Sequence, residues 1–210
     1  CAVSIGRYQD LDDIDLDYCT ENSIDVVRRL TGGKAVLHEK ELTYSFIIDK
    51  DEMPRSIIES YKIISSAIIQ GLKTLGLNPE MNSSKIENRD NPVCFQEQSF
   101  NELTINRKKF VGSAQVRKKG KLLQHGSILT GIDTEKHSSC FKEKPETHDL
   151  KKRITYIDIP EKNLKSAIKQ GFSEYFNTNL NGRSICGKEL SGAKELARTK
   201  YRLEAISVKA

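Results

Sequence analysis

The chain has 210 residues, 30% of them charged, and a net charge of +5. That length suits one substantial domain, and no apolar run approaches the roughly 20 residues that span a bilayer, nor is there a secretory leader. The five cysteines (1, 19, 94, 140 and 186) are odd in number and lack CxxC or Cys/His ligand spacing, which argues against a disulfide framework or a zinc site and predicts reduced thiols in a cytoplasmic protein with no membrane partner. The lysines are dispersed and are not interleaved with aromatics: the bland reading is an ordinary solvated surface, the functional one attraction of an acidic protein, with nucleic acid the weakest option. The first residue is Cys1, followed at once by a strand-like run, and an N-terminal piece is expected to be missing.

Ala2 to Ile5 alternate as an incoming strand and Gly6 ends the run. Asp12 to Glu21 predicts a short helix with acidic residues in its first turn. Asp25 to Arg29 predicts a strand, Thr31-Gly32-Gly33-Lys34 a turn, and Ala35 to His38 and Leu42 to Ile48 two more strands. That order excludes a parallel Rossmann sheet and predicts an α+β fold, a mixed β-sheet flanked by helices. Pro54 is expected to open the longest helix, with Ile57, Tyr61, Ile64, Ile68, Leu72 and Leu75 as its apolar stripe and Gly76 past its end. Asn78 to Asp90 is polar and aperiodic, a predicted loop. Leu103 to Ile105 and Leu122 to Leu129 predict strands, joined through Gly120. Residues 134–150 are charged and polar and predict a linker between a catalytic domain at 1–133 and a C-terminal helical segment at 151–210. In that segment Lys162 to Phe176 predicts one amphipathic helix and Lys188 to Tyr201 another, forming a small lobe or packing back on the sheet.

Four stretches carry chemistry. In residues 28–38, Arg28 and Arg29 offer fixed donors to a phosphate or pantetheine-like group, and Thr31, Gly32 and Gly33 make a turn that a ligand can approach closely; the bland alternative is a hairpin turn with surface arginines. The stretch is not a P-loop, since Ala35 follows Lys34. Cys94 sits behind Asn91-Pro92 in a polar loop, either a nucleophile or a structural thiol. Lys109 precedes the small-residue run Val111-Gly112-Ser113-Ala114, so it either points into a pocket or is solvated, and its neighbours Arg107 and Lys108 cannot all share its side of a strand. His125-Gly126 on the returning strand is a core histidine or a base.

RRLTGGKAVLHEKELTYS, NPVCF, NRKKFVGSAQVRKKG and LQHGSIL, in that order, resemble the lipoate–protein ligase and octanoyltransferase superfamily, which also includes biotin ligases. The resemblance covers residues 2–130 strongly and the C-terminal helices loosely, and members begin several tens of residues earlier. It implies a lipoate/biotin ligase-like catalytic domain with a hydrophobic tunnel for an eight-carbon chain. It also implies that Cys94 is the nucleophile of a cysteine-dependent octanoyltransferase of the Gram-positive type and Lys109 the family lysine. The donor would be octanoyl-phosphopantetheine on acyl carrier protein, the acceptor a lysine of a lipoyl domain such as glycine-cleavage H protein, with no cofactor on the enzyme itself and no metal. Gly32, Gly33 and His38 would line the acyl pocket, with Arg28, Arg29, Thr31, Ala114, His125 and Gly126 beside them and backbone groups near Gly112 and Ser113 holding the oxyanion. Lys109→Ala is expected to abolish transfer with the fold intact. Two enzymatic alternatives stay open: an ATP- and Mg-dependent lipoate–protein ligase, and an amidotransferase between lipoyl-dependent proteins. The third is a non-catalytic module that binds lipoyl or carrier domains.

Overall fold

The computed structural model describes residues 1–82 and 102–201 and shows two β-sheets closed by helices. β1 (Ala2–Ile5) is the middle strand of a three-stranded sheet, parallel to β2 (Asp25–Arg28) and antiparallel to β3 (Val36–His38). The crossover from β1 to β2 runs through α1 (Leu16–Glu21), whose N-cap Asp15 accepts from the Tyr18 N–H at 2.9 Å. The second sheet is antiparallel, in the order β4 (Glu41–Asp49), β8 (Lys121–Leu129), β7 (Lys108–Lys118), β6 (Leu103–Ile105), β5 (Glu80–Met81). Lys119 and Gly120, both at positive φ, turn β7 into β8. The predicted mixed sheet flanked by helices is therefore the observed architecture, and β5 falls inside the stretch expected to be loop.

One face of the five-stranded sheet is covered by α2 (Ile57–Lys73) and α5 (Glu161–Tyr175). Ile64, Ile68 and Leu72 of α2 are fully buried, as the stripe predicts, whereas Ile57 is exposed. Pro54 does not open the helix. Ser56 is the N-cap, accepting from the Glu59 N–H, and the Pro54 carbonyl instead takes a hydrogen bond from Arg117. The two helices cross at glycines: a Cβ on Gly171 would lie 2.3 Å from the Gly71 backbone nitrogen. Backbone contact of this kind brings α5 close enough for Phe172 and Phe176 to stack on Phe46 of β4, at 5.2 and 5.4 Å between centroids. Beyond α5, α6 (Gly187–Thr199) has no buried residue.

Residues 134–150 are not a linker. They contain α3 (Thr134–Ser139) and the start of α4 (Thr147–Arg153), and Cys140, Phe141 and Leu150 are fully buried. Phe141 bridges to Ile14, and the Asp15 N–H donates to the Cys140 carbonyl at 3.0 Å, so this segment fills the core of the smaller sheet. α3 buries no apolar side chain and α4 only Leu150, too few to register as a period in the sequence. Phe141→Ala should lower stability by about 3–5 kcal/mol, and Lys142→Ala beside it should be neutral, as read from urea unfolding.

Candidate active site

Successive side chains of a strand point to opposite faces. Leu42, Tyr44 and Phe46 of β4 lie opposite Ile128, Gly126 and Gln124 of β8, and this face meets the helices. The other face carries Glu41 and Thr43 of β4, His125 and Ser127 of β8, and Gly112 and Ala114 of β7. Strict alternation would place Lys109 in the core with Val111. The pairing of β6 with β7 steps from Leu103↔Val111 to Thr104↔Lys109, which leaves Phe110 as an extra residue. This bulge lets Phe110 and Val111 both enter the core, while Lys109 takes the face of its pair Thr104. There Lys109 Nζ meets Glu102 Oε1 at 2.5 Å, with both side chains sealed from solvent. Lys108 points outward, where its Nζ donates to the Lys151 carbonyl, and Arg107 occupies a positive-φ turn.

The backbone around Lys109 is held by a wedge. β7 and β8 stop pairing beyond Val111↔Ile128, and residues 154–157 enter the fork. The Thr155 N–H donates to the Lys109 carbonyl at 2.9 Å, and the Ile157 N–H to the Leu129 carbonyl at 3.0 Å. Ile154 and Leu150 pack there against Val36 and Leu129.

The loop between β2 and β3 sits over the same face. Arg28 donates to the carbonyls of Gly6 and Gln9, at 2.9 and 2.7 Å. Arg29 donates to the carbonyls of Ser4, Gly32 and Lys34. Both guanidinium groups thus hold backbone, where the sequence offered them as ligand donors. Gly33 adopts φ +90°, and a Cβ on Gly6 would lie 1.8 Å from its carbonyl oxygen, so the turn rests directly on the end of β1. Gly32 faces open space. Buried Thr31 is joined to His125 Nε2 at 2.6 Å, which ties the loop to β8. Burial, then the charges of Arg29 and His38, push the His125 pKa down to about 4, so its ring is neutral at pH 7.

A second chain of hydrogen bonds joins the two sheets. His38 Nε2 lies 2.7 Å from Ser4 Oγ, and His38 Nδ1 lies 2.7 Å from Glu41 Oε1. Thr43 and Ser127 also donate to Glu41 Oε1, at 2.7 and 2.8 Å. Burial alone would raise the Glu41 carboxyl pKa; the His38 hydrogen bond and charge, helped by Thr43 and Ser127, bring it below its ordinary range. Neither Glu41 nor Glu102 was singled out by sequence reasoning. The available signals were an acidic residue three positions after His38 and another at the edge of an apolar strand.

Of the predicted residues, the structure brings Lys109, Gly112, Ala114, His125, Thr31 and His38 to one face, under the loop carrying Gly32 and Gly33. The side-chain positions of Ser113 and Gly126 face the core. Ser113 Oγ bonds Tyr44 Oη at 2.6 Å, and a Cβ on Gly126 would meet Ser113 Oγ at 2.6 Å and Tyr44 Cε1 at 2.8 Å. Cys94 lies outside the described residues. Among the described residues no cluster of His, Cys, Asp and Glu could hold a metal ion, and no helix is long and apolar enough to cross a membrane.

A buried lysine thus shares a sheet face with Gly112 and Ala114, beneath the loop that carries Gly32 and Gly33. Residues 1–175 match the model of the lipoyl protein ligase A/B catalytic domain, and the chain belongs to that family. It is 39% identical to the octanoyltransferase LipM of Clostridioides difficile, over 99% of this chain and 83% of that protein. It is 36% identical to the octanoyltransferase LipM of Geobacillus kaustophilus, over 95% of this chain and 80% of that protein. Among solved structures, lipoate-protein ligase A bound with ATP superposes with a TM-score of 0.77 at 28% identity, over 93% of this chain and 76% of that one. The protein Ta0514 of T. acidophilum, with bound lipoic acid, gives 0.76 at 27%, over 94% and 77%. On these relationships the chain is an acyltransferase.

The His125 pKa is about 4 in the fold and 6.5 in the unfolded chain. A depressed histidine contributes stability that is complete above pH 6.5 and is lost as pH falls towards 4, because the unfolded state then binds the proton first. The urea midpoint should be flat from pH 8 to 7 and fall below 6.5. In His125→Asn the fall between pH 6.5 and 5 should be shallower by part of one proton.

Proposed function

We propose that this chain moves an octanoyl group from the phosphopantetheine thiol of an acyl carrier protein to a lysine of a lipoyl domain, such as glycine-cleavage H protein, with Cys94 as the intermediate carrier. The observation that carries the proposal is near-full-length similarity to octanoyltransferases in a chain whose candidate site face is built around one buried lysine. The Cys94 thiolate attacks the donor thioester carbonyl, the pantetheine thiolate leaves, and the acyl group stays activated without ATP. The lysine amine of the acceptor then displaces the Cys94 sulfur. Cys94 precedes Glu102 by eight residues, a contour of no more than about 29 Å, so the chain length permits it to serve the Lys109 face.

The described groups suit those steps. The Lys109 ammonium supplies positive charge that favours a thiolate and a developing oxyanion. Gly112 and Ala114 leave room for an alkyl chain along the sheet, and neutral His125 with buried Thr31 adds no charge to that wall. The likeness to lipoate-protein ligase A bound with ATP favours a second reading, in which Lys109 holds an acyl-adenylate and Cys94 is idle.

Intact mass spectrometry after incubation with octanoyl-carrier protein, without ATP, separates the two. An octanoyl adduct that is absent in Cys94→Ser supports the transferase; transfer that requires ATP and is unchanged in Cys94→Ser supports the ligase. The Lys109 test must respect the ion pair. Lys109→Ala would strand a buried carboxylate and cost about 3–5 kcal/mol, so loss of activity in that variant would not isolate chemistry. The double variant Lys109→Met with Glu102→Gln should recover most of the urea stability and still fail to transfer; transfer near the wild-type rate would remove Lys109 from the mechanism.

A further inference from the structure

Among the described residues, Glu41 has one carboxylate oxygen with three partners and one with none. Oε1 takes hydrogen bonds from His38, Thr43 and Ser127. Oε2 is buried and has no partner among the described residues, and the side chain is only 4% exposed. A buried anionic oxygen without a donor is costly, and the three donors on Oε1 fix the carboxylate so that it cannot rotate to share them. The position of this oxygen is informative. Glu41 lies on the same sheet face as Gly112, Ala114 and Lys109, and its donor Ser127 pairs with Gly112. The adjoining His38 side chain is 30% exposed, so the hydrogen-bonded group that holds Glu41 reaches the surface on that side.

We infer that Glu41 Oε2 receives the side-chain nitrogen of the acceptor lysine. This rests on the transferase reading above and names a residue for its second half. An ammonium satisfies a buried carboxylate oxygen with a charge-assisted bond, and water or an alcohol does so less well, which selects a lysine over hydrolysis. The step balances as follows. The nitrogen forms its bond to the thioester carbonyl carbon and the carbon–sulfur bond breaks. Of the two protons the ammonium sheds on becoming an amide, one goes to the departing Cys94 sulfur and one to solvent, while Glu41 stays ionised and holds the nitrogen in place.

The same oxygen could instead accept an amide N–H of the donor's pantetheine arm, and the two half-reactions distinguish these sources. Octanoyl-enzyme would be prepared from wild type and Glu41→Gln, and discharged in single turnover by a lipoyl domain or by hydroxylamine, a nucleophile already neutral at pH 7. The expected result is acylation within twofold of wild type, discharge by hydroxylamine within twofold, and discharge by the lipoyl domain slowed at least tenfold. Slowed acylation would assign Oε2 to the donor and overturn the inference, as would equal slowing with both nucleophiles or no slowing at all. A wild-type enzyme that forms no acyl-enzyme would overturn the transferase reading itself. Should Glu41→Gln fail to fold, the wild-type enzyme gives a second measure: butylammonium should compete with the lipoyl domain at least tenfold more strongly than butanol, and equal competition would overturn the inference.

Discussion

A lysine kept wholly out of water against a single glutamate is the constraint around which this fold is arranged. Removing two charges from solvent costs several kcal/mol for each ion, and a pair of apolar residues in the same space would serve stability as well or better. The Lys109–Glu102 pair is therefore better explained by what it does than by what it holds together. Three features surround it. The extra residue Phe110 turns Lys109 away from the core, residues 154–157 secure its carbonyl, and Glu102 stands at the head of β6.

The roof of the site is as rigid as its floor. Arg28 and Arg29 spend their donors on carbonyls of the loops beside them, and the Gly6–Gly33 contact leaves the turn no room to sink. Thr31 is bound to His125, whose depressed pKa keeps that contact free of charge near neutrality. A wall ordered in advance loses little entropy when a flexible alkyl chain settles against it. The hydrogen-bonded group of Ser4, His38, Glu41 and Ser127 then joins the roof to the sheet.

Much of this was legible in the sequence, for identifiable reasons. The α2 stripe and the β7–β8 hairpin were readable because each buries a regular series of residues. The burial of Lys109 agrees with one of the two readings its position before a small-residue run allowed. The bulge was not readable, since one additional residue in a strand leaves no mark on composition; strict alternation would have sent Lys109 into the apolar layer. Arg28 and Arg29 bond carbonyls here because carbonyls compete with a phosphate for guanidinium donors, through contacts between residues such as Arg28 and Gly6 that lie far apart in the chain. The side-chain positions of Ser113 and Gly126 stand on the reverse side of the sheet from those of their neighbours, an alternation their small size hides in the sequence. The charged stretch from Thr134 concealed Phe141 and Leu150, which are buried singly.

The wedge at 154–157 has a consequence for biogenesis. The lysine and the strands beside it leave the ribosome well before the segment that fills the fork between them. Until residue 157 has emerged, the Lys109 and Leu129 carbonyls lack their partners and the end of the hairpin stays splayed. The surroundings of Lys109 thus close late in synthesis, and a nascent chain stalled before that point would present an unclosed strand edge to its neighbours.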